Sequence, residues 1–417
     1  MHRIKKIIAS LLPSRLLRVY HFLLPHMGAF IYRYPSRHLI VLAVTGTKGK
    51  SSTTEMLNAI LEAAGHKTAL LNSIRIKKAD ASLPNTMRMS MPGRFFIQRF
   101  LRQAVDAHCT VVIIEMTSEG ARQYRHRAID LDGLIFTNLA PEHIESHGSL
   151  QAYADAKFEI GRQLARSCKR PRIIVANVED AQGARYLALP VDKALPFNLS
   201  HTEHTSGAYG GQFQFKGTHI KTHLPGEFSL RNALAATLLA DAIGIQTTDI
   251  AAGLDHLRSI PGRAERIEEG QDFAVVVDYA HTPDSLTALY DAYGSDRKIC
   301  VLGSTGGGRD TWKRPVMGSI ADERCKHVIV TNEDPYDEDP RLIIESLARG
   351  MKRTPEIILD RREAIARALS LAQTGDAVLI TGKGTDPCIC GPDGSKTPWS
   401  DAGVAREELH KLLGSRS

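Results

Sequence analysis

Cysteine, long apolar runs and, over one segment, acidic residues are what this 417-residue sequence has little of, and each shortage excludes something. The six cysteines are scattered, with only Cys388 and Cys390 close together. Such usage fits a reducing cytoplasm rather than a disulfide framework, and one Cys-x-Cys pair brings too few ligands for a zinc site. A membrane-spanning helix needs about 20 consecutive apolar residues. In the N-terminal segment the longest stretch without lysine or arginine, Val19 to Tyr32, has 14 residues and includes two histidines and a proline. No small-residue cleavage site marks a secretory signal there. The first 40 residues hold no aspartate or glutamate but seven basic residues: Arg3, Lys5, Lys6, Arg15, Arg18, Arg33 and Arg37. Of 53 basic residues, 46 are left to face 46 acidic ones in the rest of the chain. The formal charge of +7 therefore belongs to one segment, and no nucleic-acid partner is expected from it.

One glycine is also missing. "VTGTKGKSS", Val44 to Ser52, resembles the phosphate-loop pattern G-x-x-x-x-G-K-[ST], but the position five before Gly49 is Val44. The surroundings still favour a phosphate site. "LIVLAV" (Leu39 to Val44) is a continuous apolar run, as in a buried parallel strand. In the following "SSTTEMLNAILEAAG", Met56, Leu57, Ile60 and Leu61 recur at helical spacing, with Gly65 as a stop. Strand, glycine loop and helix aim free N–H groups and a positive helix end at one point. Lys50 would add a charge beside phosphates and Ser51 a hydroxyl for Mg²⁺. The plainer alternative is a tight turn with a surface lysine.

Beyond the loop, apolar strand-like runs alternate with helical stretches. "VVIIEM", "LDGLIFTNL" and "PRIIVANVED" read as strands, and "GRFFIQRFLRQAVDAH" and "QAYADAKFEIGRQLA" as helices. Residues 200–223 read as a small antiparallel patch, and a loop at "SIPGRAE" ends the region. A second alternation follows, with strands "FAVVVDYA", "RKICVLGST", "KHVIVTNED" and "DAVLITGKG" and helices near 284–292, 315–323, 340–351 and 361–372. The expected fold is α/β: a central P-loop-NTPase-like, mostly parallel sheet domain over 39–261, and a C-terminal Rossmann-like domain over 262–417. Residues 1–38 form a basic amphipathic segment broken by prolines at 13, 25 and 35, either lying on an anionic membrane or packed on the protein as an arm.

Ligands of such sheets bind beyond the carboxyl ends of the strands, so polar residues there matter most. Glu115 ends one strand, Asn138 follows another, and "PEHIESHG" then offers Glu142, His143, Glu145 and His147. Ser51, Glu115 and His143 together could hold Mg²⁺ around the phosphates; singly, Glu115 could be an ion-pair carboxylate and His143 a capping or core histidine.

Seven ordered segments now carry a family resemblance: "GTKGKSS", "EMTSEGARQYR", "FTNLAPEHIESHGSLQAYADAKFEI", "VVVDYAHTPDSL", "LGSTGGGRDTWKRPVMG", "TNEDPYDEDP" and "ITGKGTD". Over residues 39 to 412 the chain resembles the Mur ligase superfamily, and within it the UDP-N-acetylmuramyl-tripeptide synthetases, whose phosphate loop also lacks the early glycine. The resemblance implies an ATP-dependent ligase: ATP phosphorylates a substrate carboxylate, and an amino-acid amine attacks the acyl phosphate to form an amide. It implies that Gly46, Thr47, Lys48, Gly49, Lys50, Ser51, Ser52, Asn138, Asn232, Arg263, Asp278 and His281 bind ATP. Lys50, Glu115, His143 and Lys157 would be catalytic. Ser51, Glu115, His143 and Lys157, the last as a carbamate, would hold Mg²⁺. Thr117, Ser118 and Arg125 would meet the acid substrate, a UDP-muramyl peptide, while Arg309, Asp334, Tyr336, Gly382 and Asp386 would meet the incoming amino acid. The plainer role for Asp278 is a helix cap, for Lys157 a surface lysine and for Tyr336 a loop aromatic.

Departures bear on substrate more than on chemistry. Some 38 residues precede the first strand, where family members carry a domain gripping the UDP. The substrate arginine and aspartate of the family are Pro141 and Glu142 here, its Phe-Asn before the helix is Phe228–Ser229, and its Asp-Asn-Pro-Arg is "EDPY", Glu333 to Tyr336. Two alternatives stay open: a ligase of this architecture acting on another acid, such as a poly-γ-glutamyl, folate or cyanophycin-like substrate, and a catalytically weak nucleotide-binding scaffold. The protein is expected to be a cytoplasmic monomer, with peripheral contact to the inner face of the membrane through residues 1–38 as an added expectation.

Overall fold

The structure, a computed structural model, describes residues 14–142, 144–294, 297–308 and 310–414. It divides into two compact units. One contains Gly148–Asn198, Leu234–Gly253 and the chain up to Ala140; the other contains Pro141–His147, Leu199–Ala233 and the chain from Leu254 onward.

The first unit is built on a sheet of eight strands: β1 (Ile40–Thr45), β2 (Thr68–Leu71), β3 (Arg75–Lys78), β4 (Ala81–Pro84), β5 (Val111–Glu115), β6 (Gly133–Phe136), β7 (Ile173–Asn177) and β8 (Lys193–Phe197). The order is β4-β3-β2-β5-β1-β6-β7-β8. All neighbours are parallel except in the β2-β3-β4 meander. Val41 to Val44 and Val111 to Ile114 are fully buried, which is why these strands read as unbroken apolar runs. Helices α1 (Ser14–Ile31), α2 (Lys50–Ala63), α3 (Arg94–Asp106), α4 (Ser118–Arg122) and α5 (Leu150–Ala165) flank the sheet. Phe100 and Leu101 of α3 join Ile160 and Leu164 of α5 in one core.

α1 corrects the expectation of a segment broken by proline. The helix runs through Pro25. A proline there removes one backbone hydrogen bond, but Pro25, Gly28 and Ala29 are buried and α1 packs on α3, so burial offsets the loss. A Cβ at Gly28 would stand 3.3 Å from Gln98 Cγ, so the helices approach closely. The packed-arm expectation therefore holds for this face. Val19, Tyr20, Leu23, Met27, Phe30 and Ile31 remain exposed on α1. Among the described residues no helix is long and apolar enough to cross a membrane.

Helix α6 (Gly226–Ala242) carries residues of both units. The second unit holds the antiparallel sheet β9 (His204–Gly207), β10 (Gly210–Phe215), β11 (Thr218–Thr222), as expected for 200–223. Its main sheet comprises β12 (Glu265–Arg266), β13 (Ala274–Asp278), β14 (Lys298–Leu302), β15 (His327–Val330), β16 (Glu356–Ile357) and β17 (Ala377–Thr381), in the order β12-β13-β17-β14-β15-β16. Only β12 is antiparallel. Alternate strand residues feed two cores. Val276, Cys300, Leu302 and Leu379 pack with α7 (Pro283–Ala292), α8 (Lys313–Arg324) and α9 (Pro340–Ala348); Val275, Val277, Ile299 and Val378 pack with α10 (Arg361–Leu371) and α11 (Asp401–Gly414). One pair of cysteines was not foreseen where no disulfide framework was expected: Cys300 on β14 is bonded to Cys325 at the end of α8. The helical crossover brings them together, which their sequence spacing conceals.

Candidate active site

Because β1 lies between β5 and β6, the loop after β1, the end of β5 and the segment after β6 share one edge of the first unit's sheet. Gly46 has φ 145°, and a Cβ there would come within 1.9 Å of Thr137 Oγ1, so only glycine fits. Gly49, at φ 80°, precedes α2. Asn138 braces the loop: its carbonyl accepts from Thr47 N at 2.8 Å and its Oδ1 from Lys48 N at 2.8 Å. Thr137 Oγ1 donates to Lys48 O at 2.6 Å. Lys50 Nζ donates to Thr47 O at 2.8 Å, which folds the ammonium back over the loop. Ser52 follows in the first turn of α2.

Glu115 lies at the end of β5, 3 % exposed, and is saturated with donors. Ser51 Oγ donates to Oε2 at 2.8 Å, Ser73 N to Oε2 at 3.1 Å and Ser90 Oγ to Oε1 at 2.8 Å. Burial pushes its carboxyl up, but the Lys50 charge and these hydrogen bonds outweigh it and hold the group below its ordinary range. Lys157, on α5, is 2 % exposed, which excludes the surface-lysine alternative. Its Nζ donates to Gly46 O at 2.6 Å and stands 4.6 Å above the Tyr153 ring. Tyr153 in turn is 3.1 Å from Thr47 Oγ1. Lys50, Ser51, Glu115 and Lys157 thus converge on one glycine loop. His143 lies outside the described residues.

Ser51 and Glu115 are hard oxygen donors, the chemistry that Mg²⁺ selects, and Mg²⁺ needs few protein ligands because it retains water. Among the described residues no cluster of three or more His, Cys, Asp or Glu could hold a metal.

Beyond Glu115, Thr117 caps α4, accepting from Gly120 N at 3.2 Å, and Ser118 is buried. Arg125 donates through Nη1 to Met91 O and through Nη2 to Gln123 Oε1, the latter at 2.7 Å.

In the second unit Asp278 ends β13. Its two oxygens accept from Ala264 N and Ala280 N, each at 2.6 Å, and Thr282 rather than Asp278 caps α7. Arg263 lies over the Tyr279 ring at 4.6 Å. His281 is 2.9 Å from Glu142 Oε1 through Nε2 and 2.6 Å from Tyr279 O through Nδ1. Asn232 is buried on α6. Asp334, Tyr336, Gly382 and Asp386 gather at the ends of β15 and β17. Buried Lys383 donates to Asp334 at 2.8 Å and to Asp386 at 3.3 Å. Asp334 also accepts from Cys390 N at 2.8 Å, and Tyr336 has φ 52°. Gly382, at φ 108°, leaves room for Glu333: a Cβ there would sit 2.1 Å from Glu333 Oε2. Burial pushes the Glu333 carboxyl up, and Oε2 has no hydrogen-bond partner among the described residues. Arg309 lies outside the described residues.

Ser73, Ser90 and Tyr153 were not singled out by sequence reasoning. Ser73 and Ser90 come from loops with no periodic signal, so only the fold reveals them.

A phosphate loop opening a helix, with a Lys-Ser pair, a strand-end glutamate and a second open α/β sheet, defines a P-loop nucleotide-binding protein with an appended Rossmann-like unit. Comparison with known proteins narrows this. The family model for the Mur ligase middle domain matches residues 44–240, and that for the Mur ligase glutamate ligase domain matches 262–384. The chain is 34% identical over 375 residues to the UDP-N-acetylmuramoyl-L-alanyl-D-glutamate–2,6-diaminopimelate ligase of Syntrophomonas wolfei, covering 86% of this chain and 76% of that protein. It is 34% identical over 419 residues to the UDP-N-acetylmuramyl-tripeptide synthetase of a Roseiflexus species, covering 93% and 81%. A solved structure of a UDP-N-acetylmuramoyl-L-alanyl-D-glutamate–2,6-diaminopimelate ligase superposes with a TM-score of 0.62 at 26% identity, over 94% of this chain and 83% of that one. The chain belongs to the Mur ligase family and is an ATP-dependent acid–amino acid ligase.

Proposed function

We propose that this ligase adds an amino acid to a UDP-muramyl-peptide precursor of peptidoglycan through an acyl phosphate. The convergence of Lys50, Ser51, Glu115 and Lys157 on the Gly46–Gly49 loop carries this reading. A carboxylate oxygen of the acid attacks the γ-phosphorus of ATP, and ADP leaves. The amine then attacks the acyl carbon, and phosphate departs with that oxygen. Loop N–H groups and Lys50 hold the phosphates and oppose their charge. Mg²⁺, when bound, would neutralise phosphate charge, held by Ser51 and Glu115, with His143 and Lys157 as further ligands. For Lys157 that role calls for a carbamate, which replaces a cation by an anion. Lys157→Ala activity restored in part by a short carboxylate supports the carbamate; no restoration counts against it.

The amino acid is placed at the strand ends of the second unit, near Asp334, Tyr336, Gly382 and Asp386, with Arg309. A tyrosine at 336 offers one hydroxyl where an arginine would offer a fork to a distal carboxylate. Selectivity for diaminopimelate over lysine is therefore expected to be weak. The test is a matrix of UDP-muramyl peptides against amino acids, read by phosphate release and product mass. Product with lysine comparable to that with diaminopimelate fits; strict diaminopimelate dependence overturns the specificity reading, and turnover only with folate or polyglutamyl acids overturns the substrate.

We further place the enzyme in the cytoplasm, touching the inner membrane face through residues 1–38. Supporting this are an exposed apolar face on α1 and a segment with basic but no acidic residues. Sedimentation with anionic vesicles at low salt tests it; protein left in the supernatant refutes it.

A further inference from the structure

We propose that His21, Arg94 and Arg125 form an oxyanion site for the acid substrate, so that helix α1 supplies part of the substrate grip. This rests on the reading of Arg125 as an acid-substrate residue and extends it to two residues that nothing else assigns.

Three elements of the first unit meet here. α1 packs on α3, whose first residue is Arg94. Phe22 of α1 meets the Tyr124 ring edge-on at 6.1 Å, which sets α1 beside Arg125. The Arg125 bond to Met91 O ties it to the loop just before Arg94. What these contacts leave over is the key observation. His21 Nδ1, Arg94 Nε and Nη2, and Arg125 Nε are all buried, and none has a hydrogen-bond partner among the described residues.

Buried guanidinium donors without acceptors are costly, and two guanidiniums side by side repel. Burial lowers the proton affinity of Arg94 and then Arg125 lowers it further; His21 is lowered by burial and by both arginines. Arg94 also stands at the positive end of α3, whose first turn holds no acidic residue to offset it. Burial outweighs the favourable influence of Tyr20 on Arg94 and of Glu119 on Arg125, so an oxyanion here would relieve the net cost of all three groups. Guanidinium forks match a carboxylate or phosphate two oxygens at a time. The loop also leads to the phosphate site, because Ser90 Oγ donates to Glu115 Oε1 at 2.8 Å. An acid reacting near Glu115 would thus have a second anionic group held by the arginines.

The test uses Arg94→Met, His21→Gln and Arg125→Met in the full chain. KM is measured for UDP-N-acetylmuramoyl-L-alanyl-D-glutamate, ATP and amino acid, and melting is followed with and without inorganic pyrophosphate. Arg94→Met and His21→Gln are expected to raise the acid KM about tenfold or more, as for loss of a charge-assisted hydrogen bond, with the ATP KM unchanged. Free Arg94→Met should melt above the parent, since it loses an uncompensated cation, and pyrophosphate should stabilise the parent but not Arg94→Met. Repeating the kinetics with a muramyl dipeptide lacking UDP separates the sources: a persisting effect assigns the site to a peptide carboxylate, a vanishing one to the diphosphate. If Arg125→Met raises the acid KM but Arg94→Met and His21→Gln do not, this proposal falls while the Arg125 reading stands. If Arg125→Met leaves the acid KM unchanged, that reading falls. The melting comparison needs no turnover: a lower melting temperature for Arg94→Met, together with pyrophosphate stabilisation unchanged from the parent, overturns the proposal even where the substrate differs.

Discussion

Lys50 is the residue whose removal separates binding chemistry from folding most cleanly. Its ammonium lies over the loop at 2.8 Å from Thr47 O, and the side chain is only partly buried. Lys50→Ala should reduce ATP-dependent turnover about 100-fold or more, the scale of losing one preorganised charge at a transferring phosphoryl group, while the variant still folds and melts cooperatively. Near-parental phosphate release from the folded variant would contradict this. His126 illustrates a second residue-scale effect. It is 1 % exposed, neither ring nitrogen has a hydrogen-bond partner among the described residues, and burial, followed by Arg127 and Arg166, pushes it down to about 3 from an ordinary 6.5. The unfolded chain therefore binds the proton first as pH falls. Stability is unaffected by this group above pH 6.5 and is lost as pH drops from 6.5 toward 3. Melting curves between pH 7 and 4 should show His126→Leu losing less stability with acid than the parent, one proton being removed from the linkage; equal slopes would show that His126 is already protonated or hydrated.

At the scale of elements, α1 is the piece whose behaviour depends on one close approach. A side chain larger than hydrogen at Gly28 meets Gln98 and Phe95 of α3. Gly28→Leu should cost about 1–3 kcal/mol, as other overpacked contacts do, and should expose α1 to proteolysis while ATP binding survives. An unchanged melting temperature would mean that the α1–α3 contact contributes little. Elements also show how much was legible in advance. Central strands such as Val111–Glu115 and Ala377–Thr381 announced themselves as apolar runs because both faces are covered. The meander β3–β4 did not, its strands being four residues each, with β3 only partly buried and β4 exposed throughout. α1 reads as broken in the sequence because proline acts locally on the backbone, whereas in the fold Pro25 is held by packing. The phosphate loop, Glu115 and Lys157 were readable from sequence because motif and resemblance agreed. Ser73, Ser90, His21 and Arg94 were not, since what assembles them is the crossing of distant loops and helices. The Cys300–Cys325 pair was hidden for the same reason.

For the whole molecule, the central claim is that a phosphate loop in one α/β unit activates a carboxylate that an amine then captures. ATP hydrolysis alone would not establish this, nor would binding of either substrate. The oxygen balance does. In the proposed sequence one carboxylate oxygen of the acid becomes a phosphate oxygen when the amide forms. With UDP-N-acetylmuramoyl-L-alanyl-D-glutamate labelled with ¹⁸O in its reacting carboxylate, each amide formed should release one phosphate carrying one ¹⁸O, detectable by mass. Amide product accompanied by unlabelled phosphate, or phosphate released without any amide, would contradict the account.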